Sequence, residues 1–176
     1  MESEENLTGS ILIAHPMLRD PNFRRTILFL PTHDETQGAT GLVLNRPLTE
    51  RISPADGSIE VPLFYGGPVQ PAQILLASLQ WRESPTMVAF RAFAGKLTDD
   101  GIAPQWRSGL RAFAGYAGWE QGQLEAEVAE KAWIVAPPTR ALIEMTNTHN
   151  AWATFMRQSG PFFELMADEP DEPWRN

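Results

Sequence analysis

Apolar positions in this chain fall in short runs divided by turn residues, a spacing that favours strands over long helices. Residues 7–14 form a brief apolar run followed by Pro16 and read as a buried strand. Residues 26–32 and 41–45 are two more, separated by the polar stretch 33–37 and Gly38, so 26–45 reads as a hairpin. Residues 74–79, 87–94 and 132–136 are further strand candidates, the last closed by Pro137 and Pro138. Helical periodicity is confined to the second half. Residues 120–131 place Leu124 and Val128 on one face, with Glu120, Glu125, Glu127 and Glu130 reading as a solvated face. Thr139 reads as the cap of a short helix through Met145, and residues 150–158 as a last amphipathic helix stopped by Ser159, Gly160 and Pro161. Residues 16–25 read as a loop with at most one helical turn at Asp20-Pro21. Residues 51–62 read as a polar loop, and Thr98-Asp99-Asp100 as the cap of a helix kept short by Gly101 and Pro104. Strands come early and helices late without βαβ alternation, which predicts an α+β fold.

Composition narrows the picture. The 176 residues suit one domain, and 43% hydrophobic content is ordinary for a globular chain. The absence of cysteine excludes disulfides, thiolate nucleophiles and cysteine-bound zinc. The net charge of -8 is concentrated at the ends. Residues 1–6 and 164–176 carry eight acids and one base, and the body, 7–163, carries the other 14 acids and 13 bases. The expected organisation is therefore a flexible acidic N-terminus (1–6), a single domain (7–163) and an acidic, flexible C-terminal tail (164–176). A nearly neutral body has no basic stripe to neutralise phosphates, which disfavours direct nucleic-acid binding. The first ten residues lack the basic and apolar regions of a secretory signal, and no stretch approaches a membrane span. The expectation is a bacterial, cytoplasmic protein with no membrane partner.

Candidate chemistry is sparse. His15, His33 and His149 are not spaced as a zinc pair, and His33 beside Asp34 and Glu35 reads as part of a solvated turn. Ser10, Thr26 and Ser78 lie in no nucleophile elbow. The glycines from Gly115 to Gly122 match neither dinucleotide nor phosphate loops and read as a tight strand-to-helix turn, as Gly66-Gly67-Pro68 reads as a strained one. No catalytic set, cofactor site or metal site is therefore expected. The exception is a group of arginines, including Arg24, Arg25 and Arg46, around the turns DPNFRR and NRP. Guanidinium suits carboxylate or phosphate, and equally suits pairing with Asp20 or loop carbonyls.

Taken in order, the motifs resemble the YqgE/AlgH family. They are GSILIA with Pro16, Asp20-Pro21 with Phe23 and Arg25, His33, Gly38-Ala39, GLVLNRP (41–47), Gly66-Gly67-Pro68-Val69, and GYAGW (115–119) followed by GQLE (122–125). The resemblance runs from about residue 7 to about 158. It implies a mixed β-sheet curled into a barrel-like body with several short helices around it. It implies no reaction, because the family has no established catalytic residues. Some members are labelled transcriptional regulators, but no helix-turn-helix is visible here. His15, and Ala77 where many members carry histidine, depart from the pattern. The shared residues Asp20, Arg25, His33, Asn45, Arg46, Gly66, Gly67 and Pro68 are the candidates for a ligand-binding or structural motif. The leading expectation is a non-enzymatic regulatory or interaction protein with a protein partner, Trp81 and Trp106 being candidate exposed aromatics. The alternative is a binder of, or enzyme acting on, a small anionic ligand at the arginine-bearing turns.

Overall fold

The computed structural model describes residues 5–53, 59–83, 86–93 and 102–169. Among them, strands β1 (Ile11–Ala14), β2 (Ile27–Asp34), β3 (Gly38–Val43), β4 (Pro47–Ile52), β5 (Val61–Tyr65), β6 (Val69–Glu83), β7 (Thr86–Phe93), β8 (Leu110–Trp119) and β9 (Trp133–Ala136) form one mixed sheet. The main path runs β4-β5-β8-β3-β2-β1-β9, with β6 pairing β8 and β7 pairing β6. Every pair is antiparallel except β5 with β8. The sheet curls into a half-barrel, the α+β architecture the motifs imply. The short helices are α1 (Pro104–Arg107), α2 (Gln123–Ala129), α3 (Arg140–Ile143), α4 (Ala151–Arg157) and α5 (Pro161–Ala167). No helix of the described residues is long and apolar enough to cross a membrane.

The apolar runs are explained by burial on both faces of the sheet. In β1, Ile11 and Ile13 join the core that contains Phe29, Leu42, Phe113, Trp152 and Met156. Leu12 and Ala14 face the other way, into a second core with Leu28, Val43, Trp119, Leu124 and Trp133. Helix α4 closes the first core, where the Trp152 indole N–H donates to the Ala14 carbonyl at 2.8 Å. Helix α2 closes the second through Leu124.

The curl depends on β8. Its residues 112–114 pair with β5 on one side while β6 pairs along the other, and its last residues, 117–119, pair with β3. The bend falls at Gly115, whose φ is 73°. There the turn between β5 and β6 meets β8 backbone to backbone. A Cβ on Gly66 would lie 2.2 Å from the Gly115 carbonyl oxygen, and a Cβ on Gly115 would lie 2.4 Å from that of Gly67. Hydrogen bonds join the same turn to both neighbours, from Val43 N–H to the Gly66 carbonyl (3.0 Å) and from Gly66 N–H to that of Ala114 (2.9 Å).

Several elements differ from the sequence reading. Within the expected polar loop 51–62 the structure places the ends of β4 and β5. β4 is an exposed edge strand, so it shows no apolar alternation and is held by pairing with β5. β6 begins at Val69 and runs to Glu83, its residues 70–73 exposed to solvent. α2 starts only at Gln123, because Gly122 at φ 75° breaks the helix before it. Pro161 opens a further helix, α5, as the first helical position tolerates proline, and α5 carries the chain across residue 163, where the tail was expected to begin. The cap at Thr98-Asp99-Asp100, residues 1–4 of the N-terminus and residues 170–176 of the tail lie outside the described residues.

Replacing Gly66 or Gly115 with alanine forces backbone apart at the bend. Either change is expected to lower stability by roughly 2–4 kcal/mol, read as a fall in the urea midpoint. Gly9→Ala, where nothing lies within 4 Å, measures the cost of positive φ without a clash.

Candidate functional site

The shared residues divide into three groups. The first lies at the arginine-bearing turns. The Asn45 amide bridges the start of β2, accepting from Ile27 N–H (2.9 Å) and donating to the Arg25 carbonyl (2.9 Å). The Arg46 guanidinium donates to the carbonyls of Pro21 (3.3 Å), Asn22 (2.8 Å) and Arg24 (2.9 Å), gathering the loop 20–25 around one cation. It also lies against the Tyr65 ring, 5.9 Å from its centre. Asp20 accepts from Asn22 N–H at 2.8 Å, closing an Asx turn. Arg25 donates to the Glu169 carbonyl at 2.7 Å and lies 4.9 Å over the Trp152 ring. Backbone carbonyls are thus among the partners of Arg25 and Arg46.

The second group centres on His33, which is in β2 and only 5% exposed. The expected solvated turn starts one residue later: Asp34 accepts from the N–H groups of Thr36 and Gln37. His33 Nδ1 accepts from Leu7 N–H (3.0 Å), which leaves the proton on Nε2, directed to Glu125 in a short contact. Thr8 completes the clamp through its hydroxyl, accepting from His33 N–H at 3.0 Å. Glu125 is therefore half-buried and paired, not part of a solvated face. Burial pushes its carboxyl upward, but the hydrogen bonds from His33 and from its own backbone outweigh this and hold it below its ordinary value.

The third group, Gly66, Gly67 and Pro68, is the turn at the β8 bend. It lies apart from the arginine loop except through the Val43 hydrogen bond and Tyr65, whose hydroxyl donates to Asn22 Oδ1 at 3.4 Å.

Sequence reasoning missed Glu127. One carboxylate oxygen accepts from the indoles of Trp119 (2.8 Å) and Trp133 (2.9 Å), and the other from Gln123 Nε2 (3.1 Å). The two indoles meet edge to face at 6.0 Å, with Phe23 stacked on Trp119. The available signal was the pair of tryptophans flanking an acidic helix, since a buried indole N–H seeks an acceptor. Two of the candidate hydroxyls are also occupied: Thr26 donates to the Phe23 carbonyl and Ser78 to that of Ser108. No cluster among the described residues has the composition of a metal site.

The sequence profile of the AlgH-like family matches residues 11–163. The chain belongs to this family. A UPF0301 protein of Magnetococcus marinus is 36% identical to this AlgH-like chain, covering 92% of it and 94% of the relative. A UPF0301 protein of Thermobifida fusca is 34% identical, covering 97% and 96%. The solution structure of AlgH from Pseudomonas aeruginosa superposes with a TM-score of 0.61 at 27% identity, covering 97% of each chain. The crystal structure of DIP2367 from Corynebacterium diphtheriae gives 0.69 at 21% identity, covering 96% and 95%, a likeness of fold.

Two measurements check these roles in the AlgH-like chain. Asn45→Ala strands the buried Ile27 N–H and is expected to cost about 1–3 kcal/mol, read by chemical unfolding. Glu125 ionises more readily in the folded chain than in the unfolded one. Its contribution is therefore complete above pH about 4.5 and is lost as pH falls through the depressed folded value. Glu125→Gln is expected to flatten that acid limb in unfolding midpoints measured against pH.

Proposed function

We propose that this AlgH-like chain is a non-enzymatic interaction or regulatory protein that acts by binding a protein partner. The observation that carries the reading is an exposed apolar patch at the end of the fold. Phe162 and Leu165, three apart on one face of α5, are 54% and 71% exposed, and Met17 is 56% exposed. Phe162 lies 6.5 Å from the His15 ring, two residues from Met17. His15 is held below its ordinary value, first by burial and then by the Lys131 charge, so the imidazole leaves this surface uncharged at neutral pH. Clustered large apolar side chains on a surface mark partner sites. Trp81 and Trp106 contribute less, being half-buried, with Arg82 4.6 Å over the Trp106 ring.

The anionic-ligand reading at the arginine-bearing turns has weaker support. Arg46 donates to three loop carbonyls. The cavity among Arg19, Arg24 and Arg25 is about 20 Å³, room for a water molecule. The regulator label of some relatives is compatible with control through protein contacts.

The test is affinity capture from native cytosol with the wild type and a Phe162→Asp, Leu165→Asp double variant. A partner that binds wild type reproducibly and the double variant at least about tenfold more weakly is expected, with the melting temperature little changed. A capture profile identical for the two proteins would count against the patch.

A further inference from the structure

A separate cleft surrounds Arg111, a cation that sequence reading passed over. Arg111 is the second residue of β8, opposite Ala77 of β6. Strand alternation puts Leu110 and Ala112 into the core with Val61 and Leu63, so Arg111 points to the opposite face with Phe113. Its guanidinium lies 5.8 Å from the centre of the Phe64 ring. Its hydrogen-bond acceptors are neutral carbonyls, Ile143 at 3.1 Å and Gly109 at a long 3.4 Å, which leaves further N–H donors unused. Among the described residues no carboxylate forms an ion pair with it. Burial pushes the guanidinium down to about 10, so it still carries its charge at neutral pH. A desolvated cation with only neutral acceptors is costly, and such groups concentrate where a ligand supplies the missing charge.

The surroundings define that ligand. Arg111 lines a cleft of about 390 Å³, within the range of small-molecule pockets. Its lining is mixed, with Phe64, Leu79, Trp81 and Met145 beside Gln80, Ser108 and Glu144. Two of its other polar side chains are already engaged. Gln80 Nε2 donates to the carbonyls of Gln105 (2.8 Å) and Ser108, and Glu144 pairs with Arg140 at 2.8 Å. One unmatched positive charge in a cleft lined in part by aromatic and aliphatic side chains suits a single negative charge on a body with an apolar part. The Glu144 carboxylate in the lining opposes a second negative charge. We infer that this cleft is a binding site for an organic monocarboxylate with an aromatic or aliphatic body, its carboxylate held by Arg111.

The experiment is a heteronuclear NMR titration of the isotope-labelled full chain with phenylacetate. Phenethyl alcohol serves as the same body without charge, and phenyl phosphate as the doubly charged comparison. The expected result is saturable shifts at the Arg111 Nε–H and the amides of Gly109 and Met145. Phenethyl alcohol and the Arg111→Met variant should each lose about tenfold or more in affinity. Arg111→Lys should recover part of the loss in the variant. Equal affinity for acid and alcohol in the wild type would overturn the inference without any variant needing to fold. So would unsaturable shifts, undiminished binding by a folded Arg111→Met protein, or tighter binding of phenyl phosphate than of phenylacetate.

Discussion

The approach of the Gly66-Gly67 turn to the bend of β8 at Gly115 is the constraint on which the half-barrel rests. Backbone meets backbone there with no space for a Cβ on either side. That proximity lets one strand serve β5 and β6 along its first part and β3 at its end. The bend gives the β1–β3 layer an inner face shared with Phe64 and Phe113. Two motifs distant in sequence, GGP and GYAGW, are thus the two sides of a single contact.

Much of the polar chemistry in this protein holds backbone in place. Asn45 and Arg46 fasten the loop before β2, His33 and Glu125 tie the N-terminal segment to α2, and Glu127 ties α2 to two indoles. Each is a buried or half-buried polar group matched by named partners, as burial demands. Motif residues of this kind identify a fold more readily than a reaction. The function is better sought where the surface breaks the rule, in apolar side chains left in water and in a charge left without a counter-charge. Met17, Phe162 and Leu165 are the first case, and Arg111 is the second.

The contrast between Arg46 and Arg111 shows why residue type alone is a poor guide. Arg46 sits in a shared motif beside an arginine-bearing loop, and it donates to three carbonyls of that loop. Arg111 lies outside the shared motifs, at the start of the strand that ends in GYAGW, yet it is desolvated beside an open cleft. Distance along the chain hides what matters for both, since the Arg46 loop lies more than twenty residues away and the Arg111 acceptor at Ile143 lies more than thirty.

The strands β1, β2, β3, β7 and β9, the Thr139 cap and the α+β class were legible in sequence because they rest on local signals: apolar runs, turn residues and a capping hydroxyl. β4 was not, since an exposed edge strand is held only by its neighbour, and α5 was hidden because a proline that stops one helix also starts another. The candidate site was legible as a list of residues. Its geometry was not: the burial of His33, the matching of Glu125 and Glu127, and the exposure of Arg111 to a cleft each depend on a partner supplied by another element. Sequence by itself determined those strands, the family and the junction glycines, because these follow from local preference and ordered motifs. Only the tertiary structure decided which charges are matched and which are not, because that depends on what the folded sheet brings within hydrogen-bonding reach.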